Sequence, residues 1–211
     1  MRVWIWFGAA LVAMASAYAG EIDVLKLPAP QTTGGMPLMQ ALQARHSSRE
    51  FSARPLESQL LSDLLWAAAG VNRVESGKRT APSARDWREI DIYVALADST
   101  YIYDANVHAL RRVLASDVRA LTGTQEFVAN APLNLVYVAD LQRMEGASRE
   151  DKDRYAAADT GFIAQNVYLF CASAGLNTVV RGSVDREVLG NALKLSSQQR
   201  IVLAQTVGYP P

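Results

Sequence analysis

Apolar residues recur at three- and four-residue spacing in two stretches of the chain. Leu60, Leu61, Leu64, Leu65 and Ala68 form one stripe, stopped by Gly70, and predict a helix. The second stretch predicts the longest helix, over residues 151–174, closed by Gly175. Its Tyr155, Phe162, Ile163, Val167, Leu169 and Phe170 spread around much of the circumference, so burial on several sides is expected. A shorter helix is expected from Pro37, which suits a first helical position, through Leu38, Ala41 and Leu42. Asp185 reads as the N-cap of another, through Val188, Leu189, Ala192 and Leu193. Period-two alternation marks strands over 89–97 (Ile90, Ile92, Val94, Leu96) and 132–139 (Leu133, Leu135, Val136, Tyr137, Val138), with a last strand over 200–207. Residues 71–88 read as a loop of a length that in compact domains is usually functional or disordered. Residues 101–108 read as turn-rich, with Asp104 and His108 in a surface hydrogen bond. Residues 109–129 read as helical, with Arg111 and Arg112 on a solvated face.

Composition narrows this. The chain has 211 residues, 50% of them hydrophobic, which is one domain with ample material for a core. Its 21 basic and 21 acidic side chains cancel, against the basic face that nucleic-acid binding needs. Met1 and Arg2 precede an apolar run over 3–14, and Ala15-Ser16-Ala17-Tyr18-Ala19 ends in a small-x-small pattern. Residues 1–19 therefore read as a secretory signal peptide cleaved after Ala19, too short in its apolar part for a comfortable membrane span. A periplasmic or secreted chain with no stable membrane association is expected. Residues 20–35, with Pro28, Pro30, Gly34 and Gly35, form an extended tail, and 36–211 the domain. Cys171 sits in an apolar helical pattern and is expected to be a buried, inert thiol.

The densest chemistry is Arg45-His46-Ser47-Ser48-Arg49-Glu50-Phe51, with two guanidiniums, an imidazole and two hydroxyls at a helix end. Arginine forks and short hydroxyl donors suit a phosphate monoester. A solvated basic helix end, favoured by the C-terminal dipole, is the other reading of these residues alone. The run resembles the Arg-Arg/His-Ser-x-Arg/Lys-x-Phe signature of the FMN-dependent nitroreductase family. Pro82-Ser83-Ala84, directly before a predicted strand, resembles that family's Pro-Ser-small turn. Leu176-Asn177-Thr178-Val179-Val180-Arg181-Gly182-Ser183-Val184-Asp185 resembles its Gly-Leu-x-x-x-x-x-Gly-Phe-Asp segment, and Val207-Gly208-Tyr209-Pro210 a family ending. The matches fall in the family's order, from about Pro37 to the C-terminus. Leu64-Leu65-Trp66-Ala67-Ala68-Ala69-Gly70 is similar to a subgroup related to thiazoline and oxazoline oxidases.

The resemblance implies an α+β fold, a mixed, mainly antiparallel sheet flanked by helices, in an intertwined homodimer with FMN at its interface. It implies cofactor contacts from Arg45, His46, Ser47, Arg49, Pro82, Ser83, Ala84, Arg181 and Gly182. Arg45 and Ser47 would hold the phosphate, Arg49 would lie by the N1/O2 edge, and Gly182 would present its amide to N5. The 82–84 turn would serve the other subunit's flavin. The implied activity is hydride transfer from NAD(P)H through flavin N5 to a nitroaromatic, quinone or similar small-molecule acceptor, with no side chain as general acid and no metal. Two rivals stand beside it, an azoline-type peptide dehydrogenase and an exported, non-catalytic flavin-binding dimer. Arg181 and Ser183 depart from the family's acidic-or-small residue and phenylalanine at these places. With the sequence ending at Pro211, the phosphate is expected to lean on Arg45, Ser47 and either Arg79 or Arg181.

Overall fold

The computed structural model describes residues 23–211, so the leader at 1–19 and its cleavage point lie outside the described residues. Nine strands form among them: β1 (Val24–Lys26), β2 (Val71–Arg73), β3 (Lys78–Arg79), β4 (Ile90–Ala95), β5 (Thr100–Asp104), β6 (Ala109–Leu114), β7 (Leu133–Asp140), β8 (Asn177–Arg181) and β9 (Gln199–Gly208). The α-helices are α1 (Leu38–Ala44), α2 (Ser58–Ala69), α3 (Phe127–Asn130), α4 (Arg149–Ala174) and α5 (Arg186–Ala192). Seven strands build one sheet in the order β1-β6-β5-β4-β7-β9-β8, every neighbouring pair antiparallel. β2 and β3 form a separate small hairpin.

The strand β7 is the centre of the sheet, with seven of its eight residues buried. Leu133, Leu135 and Tyr137 pack on one face against Leu64, Leu65 and Ala68 of α2 and Ile163, Val167 and Cys171 of α4. Val136 and Val138 pack on the other against Leu189 of α5 and Leu193. Leu64 and Leu65 are fully buried, each stabilising the fold by roughly 1.5–3 kcal/mol. Burial pushes the Cys171 thiol far above its usual range, so it is inert as expected.

The helix ends follow local chemistry. Ser148 Oγ accepts the Asp151 N–H to start α4, and Gly175 takes the left-handed conformation that ends it. Asp185 caps α5, accepting from the N–H groups of Glu187 and Val188. Gly70 ends α2 with an ordinary φ, and a Cβ there would lie 2.4 Å from the Trp66 ring. Phe162 of α4 remains 48% exposed, so that helix is not covered on every side.

Three expectations are corrected. Residues 100–104 and 109–114 are the strands β5 and β6, where a turn-rich segment and a helix were expected. Tyr101 and Tyr103 turn inward, Arg111 and Arg112 lie exposed, and the cross-strand ladder to β1 and β4 overrides the local pattern. The remainder of 109–129 is broken by Asp117, which accepts the Arg119 N–H, and by Gly123, leaving a short 3₁₀ turn before α3. Asp104 does not bond His108. It lies 3.5 Å from Arg111 Nε.

His108 instead ties down the N-terminal arm. Ser62 Oγ donates to Pro28 O at 2.6 Å, so it receives its hydrogen bond from His108 Nε2 at 2.7 Å. His108 Nδ1 is then the acceptor for the Tyr103 hydroxyl at 2.8 Å. Gln59 Nε2 donates to Ala29 O, and the Gln31 N–H to Asp63, continuing the arm along α2. Burial lowers the His108 pKa, with the Pro28 carbonyl and Asp63 opposing more weakly. The neutral ring is thus the folded form. Its stabilisation is complete above the ordinary value of about 6.5 and is lost as pH falls through the lower folded value. Acidification should therefore raise amide exchange in the arm, at Leu27 first, while exchange in β7 holds. Equal protection of Leu27 on both sides of that window would contradict the relay.

Candidate functional site

Residues 45–51 leave α1 and run beside β8, the outermost strand. The Ser48 N–H donates to Thr178 O at 3.0 Å, and Asn177 Nδ2 donates to Glu50 O at 2.8 Å. The segment thereby covers an otherwise open sheet edge. Ser47 Oγ lies 2.8 Å from the Tyr168 hydroxyl of α4. That hydroxyl also accepts the Val180 N–H at 2.9 Å. The Arg45 guanidinium lies over the Tyr168 ring, 5.2 Å from its centroid. One tyrosine thus draws Arg45 and Ser47 to the strand end that leads into Gly182. Among the described residues neither Arg45 nor Arg49 is paired with a carboxylate. His46 Nδ1 donates to Ala44 O, and both His46 and Arg49 are exposed.

Gly182 is exposed, and its φ lies outside the left-handed region. A Cβ built there would meet only Leu203 Cδ2, at 3.9 Å. The fold therefore has no need of glycine at this position. A flat ligand laid against the backbone does, because a side chain would hold it away.

Arg181 departs from its expected role toward a phosphate. It is 4% exposed, and its guanidinium donates to Thr206 Oγ1, Thr122 O and Oγ1, and Asn134 Oδ1. Phe127 lies beside it, and burial lowers its pKa to about 10. Gly123 makes room, since a Cβ there would fall 1.9 Å from Arg181 Nη1. Arg181 is therefore a structural cation joining β7, β8 and β9, with its donors already engaged. The alternative, Arg79, lines a small cavity with Glu89, Ser83 and Asp159, its Nε buried without a partner.

Pro82, Ser83 and Ala84 form a turn on another part of α4. The Ala84 N–H donates to Asp159 Oδ2 at 2.8 Å, and Ser83 Oγ donates to Glu89 Oε2 at 3.2 Å. Asp159 and Tyr168 are nine positions apart on α4, roughly 14 Å at the helical rise. Within one chain, then, the structure brings Arg45 and Ser47 through Tyr168 to Val180, two residues before Gly182, and keeps the 82–84 turn away from them. Tyr168, Glu89 and Asp159 are the polar groups that sequence reasoning missed. The one legible sign was Asp159, an acid on the buried stripe of Ala156, Ile163 and Val167.

Comparison with known proteins places the chain as a whole among relatives. A provisionally named nitroreductase of Methanocaldococcus jannaschii is 32% identical over 176 residues, 79% of this chain and 88% of that protein. A crystal structure from Ralstonia eutropha JMP134, also provisionally named a nitroreductase, is 47% identical with a TM-score of 0.86, covering 89% of this chain and 90% of that one. The NADPH:FMN oxidoreductase of Vibrio harveyi, solved with NAD+, shares the fold at 20% identity and a TM-score of 0.60, over 82% of this chain and 68% of that one. The model of the nitroreductase family matches residues 42–209. The chain belongs to the nitroreductase family.

Proposed function

We propose that this oxidoreductase binds FMN at a homodimer interface and carries electrons from NAD(P)H to a nitroaromatic, a quinone or a similar small acceptor. The observation that carries the reading is the convergence of Arg45 and Ser47, through Tyr168, on the turn at Gly182, where the fold itself does not require glycine. These residues fit the cofactor. Arg45 and Ser47 supply a cation and a hydroxyl for the phosphate, and the solvent-facing Arg49 supplies positive charge for the pyrimidine edge of the ring. Gly182 leaves its backbone open to the ring, and Tyr168 fixes the spacing between phosphate grip and ring support. When bound, the flavin supplies the redox chemistry, accepting hydride from the nicotinamide and passing reducing equivalents to the acceptor. The chain's contribution is binding, orientation and charge, with no side chain needed as a proton relay.

The dimer has support in the surface. Leu38, Met39 and Leu42 of α1 and Phe162 of α4 are exposed apolar side chains. A second copy would cover them and bring its 82–84 turn to the flavin. The azoline-type alternative draws no support from Leu64, Leu65, Ala68 and Ala69 of that likeness, which are core residues. Export stays part of the proposal on the strength of residues 1–19. An exported enzyme would need a donor outside the cytoplasm.

The purified protein should be yellow and should bleach with reduced nicotinamide. A protein that neither carries nor takes up FMN sinks the reading, whereas one that binds FMN but never bleaches returns the non-catalytic dimer. Arg45→Ala should weaken FMN binding by about 1.5–3 kcal/mol, roughly ten- to 150-fold in Kd, and unchanged affinity would remove Arg45 from the phosphate site. Gly182→Val should fold with an ordinary melting temperature yet lose flavin. If it keeps flavin, the ring does not lie on that backbone. Phe162→Glu should shift the mass in light scattering from dimer toward monomer, and an unaltered dimer would place the interface elsewhere.

A further inference from the structure

Glu89 and Asp159 are the two most deeply buried acids near the site, 0% and 2% exposed. They line one small cavity, about 30 Å³ of space open to the centre of a water-sized sphere. Both act on the loop before β4. Ser83 Oγ accepts the Arg88 N–H at 2.9 Å and donates to Glu89 Oε2, while Asp159 Oδ2 holds the Ala84 N–H. The loop needs holding, because Arg85, Asp86 and Arg88 take left-handed φ values of 51°, 58° and 51° without being glycine. Such conformations persist only where the surroundings over-determine them.

Two atoms of residues lining this cavity are left out of the arrangement, Arg79 Nε and Glu89 Oε1. Glu89 Oε1 is buried without any hydrogen-bond partner. Two ionised carboxylates are acceptors only and cannot bond each other, but a proton on Glu89 makes it a donor toward Asp159. The surrounding charges leave room for that proton. Arg88 is engaged by Asp86 at 2.7 Å, and Arg143 by Asp91 at 2.8 Å and by Asp140 at 3.3 Å. Arg79 lines the same cavity but forms no ion pair with either acid.

We propose that Glu89 and Asp159 hold a single proton between them, and that this proton clamps the strained 82–88 loop to α4, making both acids positioning residues. Where the clamp bears on flavin, it rests on the function proposed above, which assigns Pro82, Ser83 and Ala84 to the cofactor. Burial pushes the Glu89 carboxyl up to about 7, and its interactions with Asp159 add to the rise. The folded value lies above the unfolded one. The clamp is therefore complete below the ordinary glutamate value and weakens as pH rises toward about 7.

The test is amide exchange at Ala84, whose N–H Asp159 holds, across that window. In the native chain, protection corrected for intrinsic exchange should fall about tenfold per pH unit, the slope of one linked proton. Glu89→Gln supplies a permanent donor in the same shape and should remove the slope. Asp159→Asn should remove it too, donating to an ionised Glu89 while still accepting from Ala84. A native slope that persists in both variants, or a native chain with none, overturns the clamp. An infrared band of a protonated carboxylic acid at about pH 6, absent in Glu89→Gln, is expected, and its absence from the native chain is equally fatal. FMN titrations separate the two readings. A chain that binds no FMN defeats the proposed function, while the exchange data still decide the clamp. Flavin affinity that follows pH in the native chain and not in Glu89→Gln supports the link between them. Identical profiles break it.

Discussion

The hydroxyl of Tyr168 makes two hydrogen bonds that set the geometry of the basic site. It accepts the Val180 N–H as β8 ends and shares a hydrogen bond with the Ser47 hydroxyl, while its ring lies under Arg45. Three parts of the chain distant in sequence meet at this one side chain: the segment after α1, the long helix α4 and the end of β8 at Val180. A hydroxyl, able to accept and to donate, is well suited to this. Without it, Arg45 would be a mobile surface cation beside an unpaired strand end.

Around that junction the fold treats buried polarity in two contrasting ways. Between β7, β8 and β9 a closed network runs from Arg181 through Asn134 and Thr206. Beside it, Tyr137 donates to Gln205, which donates in turn to Thr178. Every nitrogen of the charged guanidinium faces an acceptor, so the cation behaves as scaffold. At Glu89 the pairing is incomplete, with one carboxyl oxygen buried and unpartnered beside a second acid. Complete networks rigidify a core. Incomplete ones leave a group whose protonation the surroundings can bias.

Much of the architecture was legible along the chain because burial imposes a period. The stripe from Leu60 to Ala68, the alternation in β4 and β7, and the caps at Asp185 and Gly175 each encode a local rule, and each produced the expected element. Residues 101–114 broke that correspondence. Tyr101, Tyr103, Ala109 and Leu110 owe their extended conformation to strands on either side, and the exposed pair Arg111-Arg112 carries no strand period. The site divides in the same way. Residues 45–51 were conspicuous as a group, whereas Arg181 looked like a ligand for an anion until its environment was known.

The sequence by itself determined the family, the main helices and central strands, and the residues with the charge and shape to grip a phosphate, because these depend on residue type and on spacing of a few positions. Only the tertiary structure decided what each polar group does. It turned Arg181 into the core, bound His108 to the N-terminal arm, placed Tyr168 between Arg45 and Gly182, and buried Glu89 against Asp159. The reason is physical: a side chain's role depends on its desolvation and on partners brought from tens of residues away, and neither is present until the chain has packed.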